Sequence, residues 1–177
     1  DYLSKVSPAF KEAVGASKKM DALKEVTGQK GNDGVAGFVK NNKGAIGYAE
    51  VAYAKADNIP VALVRNAAGK YVAPTAEAVS AAAVSALDQK QTAEPFSLHD
   101  LTYSLTDAAG DASYPIAGMS YALLYQKQPA GTGQALVGFL KWVVTDGQKF
   151  AADLHYAPLP QSLSARCTEK LGTVSFQ

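Results

Sequence analysis

Gly31-Asn32-Asp33-Gly34-Val35-Ala36-Gly37-Phe38-Val39-Lys40, then Asn41-Asn42-Lys43-Gly44, then Ala45-Ile46-Gly47-Tyr48-Ala49-Glu50-Val51-Ala52-Tyr53-Ala54 is the run on which the reading of this 177-residue chain turns. Residues 28–34 read as a glycine-rich loop leading into a helix-like segment over 35–40, with Asn32 or Asp33 placed to cap it. Residues 41–44 make a turn, residues 45–48 a short buried strand, and residues 51–55 a helical or irregular turn. Glycines ahead of a helix leave backbone N–H groups free, and the helix start carries a partial positive charge suited to an anion. A tight capped loop is the plainer reading of the same residues, and an ionised Asp33 competes for the same donors.

Toward the N-terminus, Tyr2, Leu3, Val6, Phe10 and Val14 fall on one helical face, with Gly15 at the expected stop. Pro8 divides that face, so two short helices are expected, the second with Ser7 as N-cap and proline in its first turn. Toward the C-terminus, residues 60–65 read as a strand and 66–70 as a hairpin-type turn into residues 71–73. Pro74 and Thr75 then open an alanine-rich helix. A polar span around His99 follows. Residues 103–105 are strand-like, 107–113 a loop, and 115–125 a continuous apolar strand of the buried kind, with Gly118 marking close backbone approach. Beyond Gly131 and Gly133, Leu136, Val137, Leu140, Val143 and Val144 recur at helical spacing over 134–145. Gly147 ends that helix, a further helix is expected over 148–154, and a last one over 163–171. Alternating strands and helices give an α/β class.

The bulk numbers narrow the function by exclusion. Seventeen Lys and Arg against sixteen Asp and Glu leave a net charge of +1, which provides no field to draw nucleic acid. Cys167 is the sole cysteine, so the redox compartment is not legible from it, and no motif joins it to His99 or His155. His155, between Leu154 and Tyr156, reads as a packed structural histidine. No CxxC, HExxH, GxSxG or Walker spacing occurs, which argues against metal ligation and nucleophilic catalysis; no cofactor is expected. No apolar run approaches the ~20 residues needed to span a bilayer.

In order and spacing, the 31–39 and 44–54 blocks resemble those of the periplasmic phosphate-binding proteins of high-affinity phosphate ABC transporters. The likeness continues through Asp1-Tyr2-Leu3-Ser4-Lys5-Val6-Ser7-Pro8, through Tyr114-Pro115-Ile116, across 133–142, and into Leu154-His155-Tyr156-Ala157-Pro158-Leu159-Pro160. It covers nearly the whole chain and matches the C-terminal half of the family.

That resemblance implies a type 2 periplasmic-binding-protein fold, with residues 1–114 in the second lobe and 115–177 completing part of the first. It implies a non-catalytic extracytoplasmic receptor for inorganic phosphate that serves ABC permease subunits and is periplasmic or membrane-anchored in its parent. A structural or interaction protein that keeps the receptor fold without the ligand is the second reading. In the family, backbone N–H groups, hydroxyls, an Arg counter-charge and an Asp that accepts the ligand's proton hold a buried phosphate and reject sulfate. Those contacts precede the point matching Asp1. The residues left as cleft-side candidates are therefore Gly31, Asn32, Asp33 and Gly34, with Tyr48 and Ser120 near the crossover between lobes. The chain opens on Asp1-Tyr2-Leu3 rather than on a leader pattern. We accordingly expect it to begin inside a longer protein and to pair with a complementary N-terminal fragment.

Overall fold

The computed structural model describes residues 1–16, 23, 26–89 and 101–177, so His99 and its polar span lie outside the described residues. The chain divides into two compact units, Asp1–Val64 and Arg65–Gln177.

The first unit is helical. Helix α1 spans Tyr2–Val6 and α2 spans Pro8–Ala13. Ser7 accepts a hydrogen bond from the Phe10 amide at 3.2 Å, and Pro8 occupies the first turn, where its missing N–H costs nothing. Gly15, at φ +70°, stops the pair as expected. Helix α3 runs Gly31–Asn41 and α4 Val51–Ala56. Residues 45–48, expected as a buried strand, form no ladder, and Ile46 is 96 % exposed. Their apolar character has no facing surface in this unit, whose one buried hydrophobic residue among those described is Ala36.

At the boundary in sequence, β1 (Val64–Arg65) and β2 (Tyr71–Val72) form a two-stranded hairpin, so the strand expected over 60–65 contracts to its last two residues. The Asn66 amide donates to the Lys70 carbonyl at 2.8 Å and closes the turn, with Gly69 at φ +77°. Helix α5 (Ala76–Asp88) starts where expected, its N-cap Thr75 accepting from the Ala78 amide at 3.2 Å. Its small side chains let it approach closely, and Ala82, Ala83 and Ala86 join Tyr103, Leu105, Ala108 and Leu163 in one core. Residues 103–105, expected to be strand-like, lie outside any ladder strand, yet Tyr103 and Leu105 are buried.

The continuous buried strand expected over 115–125 is replaced by an irregular segment, bent at 115–116 and partly buried at its start alone. Pro115 is buried and Ala117 and Met119 lie against the core, whereas Ile116, Gly118 and residues 120–123 are exposed. Strand β3 (Lys127–Gln128) pairs in parallel with β4 (Ser175–Phe176), in the register Lys127 to Ser175 and Gln128 to Phe176.

Helix α6 spans Ala130–Val144, four residues longer at its start than periodicity indicated, because Gly131 and Gly133 lie inside it. Gly133 is required there: a Cβ would collide with Cβ of Gln128. The helix expected over 148–154 is a 3₁₀ turn over Asp146–Phe150 followed by irregular turns. Helix α7 (Gln161–Gly172) is sutured to the end of α6 by the Ser164 hydroxyl, which donates to the Val144 carbonyl. Gln148 bridges the same region, donating to the Val143 carbonyl and accepting from the Leu159 amide, both at 2.6 Å.

Within the second unit α5 packs on α7, and the Tyr114 amide donates to the Ala78 carbonyl at 3.0 Å.

Candidate functional site

The Gly31–Gly34 stretch is the first turn of α3 and not a loop before it. Lys30, in extended conformation, is the N-cap, and Gly31 takes φ +67°, a value that favours glycine. Neither Asn32 nor Asp33 caps its own helix as expected. Asn32 instead reaches across: its Oδ1 accepts from the Glu50 amide at 3.1 Å, and Glu50 is the N-cap of α4. Satisfying a donor at the start of a neighbouring helix fixes the two helix starts side by side. At the other ends, Lys40 Nζ meets Asp57 Oδ1 at 2.6 Å. Stitched at both ends, α3 and α4 run alongside each other in the same direction.

The segment between them is held by contact rather than burial. A Cβ on Gly47 would lie 2.7 Å from Val35 Cγ1 and 2.9 Å from Val39 Cγ2, so the backbone of residue 47 rests directly on α3. Asn41 and Asn42 turn their Nδ2 groups back onto the Gly37 and Phe38 carbonyls at 2.8 Å each, closing the exposed end of the helix. Gly44, at φ +89°, then reverses the chain toward Gly47.

Electrostatically, the shared helix starts are acidic. Asp33 in the first turn complements the helix dipole. The Asp33 carboxylate, desolvation and Glu50 together hold the Tyr53 phenol above its ordinary pKa, and Asp33 also bonds to it. Gly31, Asn32, Asp33 and Gly34 are thus brought together with the segment that carries Tyr48, which is 80 % exposed. Ser120 belongs to the second unit, on the exposed part of the 115–125 segment.

A polar junction not anticipated from the sequence lies in the second unit. Asn66, 5 % exposed, donates through Nδ2 to the carbonyls of Gly110, Asp111 and Ser113 at 3.1, 2.9 and 3.1 Å, and its Oδ1 accepts from the Lys70 amide at 2.9 Å. Beside it an open depression of about 380 Å³ is lined by Lys70, Tyr71, Thr75, Glu77, Asp111 and Ala112, among others. The sequence marked Asn66 as a turn residue; nothing local signals carbonyls more than forty positions away.

Among the described residues, no three His, Cys, Asp or Glu side chains are grouped to hold a metal ion, and no helix is long and apolar enough to cross a membrane. Burial raises the Cys167 thiol above its ordinary pKa, away from the thiolate a nucleophile needs.

A profile of the PBP superfamily domain matches residues 2–147. The chain belongs to the PBP superfamily. Its α/β class agrees with that assignment, although among the described residues of this PBP-superfamily chain the strands are only two residues long. It is 40% identical over 164 residues to the phosphate-binding protein PstS of Xylella fastidiosa (strain 9a5c), covering 92% of this chain and 43% of that protein. Against the PstS of Pasteurella multocida (strain Pm70) it is 40% identical over 167 residues, covering 92% and 45%. Against the PstS of Methanocaldococcus jannaschii the figures are 34% over 157 residues, 84% and 40%. The chain therefore spans less than half the length of the curated relatives it matches.

Proposed function

We propose that this chain is part of an extracytoplasmic receptor that binds inorganic phosphate and delivers it to the permease subunits of an ABC transporter, without catalysis. The observation that carries this reading is the 40% identity to PstS sustained over 92% of the chain. A short shared motif does not extend that far.

In this reading, the groups that grip phosphate belong to a part of the receptor with no counterpart in this chain. Gly31, Asn32, Asp33 and Gly34, with Tyr48 and Ser120, are cleft-side supports. The two carboxylates Asp33 and Glu50, at the starts of α3 and α4, favour support over direct contact, since a single carboxylate can accept a proton from the ligand whereas a second one only repels the anion. Asn32 supports by fixing α4 against α3.

Isothermal titration tests the proposal. The chain alone is expected to show no heat with phosphate, and a receptor that joins it to the remaining part is expected to bind phosphate saturably and leave sulfate unbound. Absence of phosphate binding by the joined receptor would sink the reading.

A further inference from the structure

The chain holds two Asp-Gly pairs, Asp33-Gly34 and Asp146-Gly147, and no Asn-Gly pair. An aspartate followed by glycine has a chemistry of its own. With no Cβ on the following residue, that residue's backbone nitrogen can reach the aspartate Cγ. A C–N bond forms, the amide hydrogen and the carboxyl hydroxyl leave as water, and a five-membered succinimide results. Water then opens the ring at either carbonyl. One opening restores aspartate; the other gives isoaspartate, which has the same mass but routes the backbone through the side chain. No oxidant or further reactant is consumed.

Both carboxylates are exposed, so access does not separate the two pairs. The backbone does. Gly34 lies in the first turn of the eleven-residue α3, where its amide donates to the Lys30 carbonyl at 3.2 Å, and the Asp33 carboxylate accepts from the Tyr53 hydroxyl. Both reacting groups are thus occupied, in a helix joined to its neighbour at both ends. Asp146 and Gly147 instead start a five-residue 3₁₀ turn. As the second residue of that turn, Gly147 has no acceptor within it for its amide, and among the described residues the Asp146 side chain makes no hydrogen bond or ion pair. Ring closure requires Asp146 to leave its helical conformation, and a short 3₁₀ turn, with its poorer hydrogen bonds, opens at lower free energy than a stitched α-helix. Nor is the glycine easily exchanged for a residue that suppresses the reaction. A Cβ at position 147 would lie 3.0 Å from the Trp142 carbonyl oxygen and 3.1 Å from its ring, so packing against the end of α6 retains the susceptible pair.

We propose that Asp146-Gly147 is a site of spontaneous isoaspartate formation in the folded protein, and that Asp33-Gly34 is shielded from the same reaction by its fold. The proposal is independent of what the chain binds. An isoaspartate at residue 146 adds a methylene to the backbone two residues ahead of Gln148, whose side chain joins the Val143 carbonyl to the Leu159 amide. The modification therefore slackens the join between the end of α6 and the segment leading into α7.

Trypsin, cutting after lysine, places the two pairs on separate peptides, residues 31–40 and 142–149, on each of which the isoaspartyl form is separated from the aspartyl form by chromatography. The chain is stored warm at mildly acidic pH, in buffer and in parallel in guanidinium chloride. In buffer, isoaspartate is expected to accumulate at residue 146 at least about fivefold faster than at residue 33, and in denaturant the two rates are expected to agree within about twofold. Asp146→Glu, whose longer side chain does not close the five-membered ring, should abolish the 142–149 product and leave the rate at residue 33 unchanged. Equal rates in buffer, a faster rate at residue 33, or a preference for residue 146 that denaturant leaves intact would each overturn the proposal.

Discussion

The two compact units hold themselves together by different means. Among its described residues the second buries a cluster built on α5, α7 and the 103–108 stretch, with Leu163 wholly enclosed, whereas the first buries Ala36 alone among its hydrophobic residues. Yet the first contains the stretch by which the chain is most easily recognised. Its characteristic residues are specified by backbone demands and not by burial: Gly47 rests on Val35 and Val39, Gly31 adopts a positive φ, and Asn32 serves a neighbouring helix start. Recognisable sequence and hydrophobic stability thus reside in different places.

The largest expected effect lies at the centre of the second unit. Leu163→Ala should cost about 2–5 kcal/mol in urea unfolding, because the emptied site is closed on all sides. Ile46→Ala in the first unit should stay within about 0.5 kcal/mol, since its side chain is already in water. Equal effects would erase the contrast.

Next comes Asn66→Ala, which leaves the Gly110, Asp111 and Ser113 carbonyls without their side-chain donor; we expect a loss of about 2–3 kcal/mol by thermal unfolding. Gly47→Ala should destabilise the first unit by about 1–3 kcal/mol through overpacking, and Val35→Ala should recover part of that in a double-mutant cycle. Strict additivity of the two would show that residue 47 does not rest on α3. Smaller again, Thr75→Ala and Ser7→Ala remove comparable caps, each about 1 kcal/mol of local helix stability. The global unfolding midpoint should register the first more strongly, because α5 carries the core and α2 has no buried residue.

The smallest effect at neutral pH concerns Tyr103. Burial, then the neighbouring Tyr121 and Cys167, raise its phenol above the ordinary value, with Arg166 acting weakly in the opposite sense. The unfolded chain therefore releases this proton at lower pH than the folded one. The associated stability is complete below the unfolded value of about 10 and declines as pH rises beyond it. Tyr103→Phe should flatten that alkaline decline. Near pH 7 it should be neutral or mildly stabilising, since the Tyr103 hydroxyl is buried with no hydrogen-bond partner among the described residues.

Much of the second unit was legible because its signals are local. The alanine run and Thr75 define α5, and the 136–144 periodicity defines α6. Gly131 and Gly133 misled at the start of α6, as Gly31 and Gly34 did at α3, because glycine in a helical turn against a close neighbour looks in sequence like a loop. The 115–125 run misled differently. Hydrophobicity reports that a strand suits burial, while its burial depends on what the chain places beside it, and here that extends to Met119. In the candidate site, Asn32 was expected as a local cap, and its actual acceptor role spans eighteen positions, beyond any local rule.

Asn66 has one more consequence. Its amide group has two hydrogens and faces three carbonyls, so at least one hydrogen is shared between two acceptors. Both protons are enclosed and should exchange slowly with water, giving a resolved pair of side-chain resonances in a nitrogen-15 spectrum. Their appearance marks the moment when the β1–β2 turn and the 107–113 loop lock together, so a single amide serves as a timer for closure of the second unit.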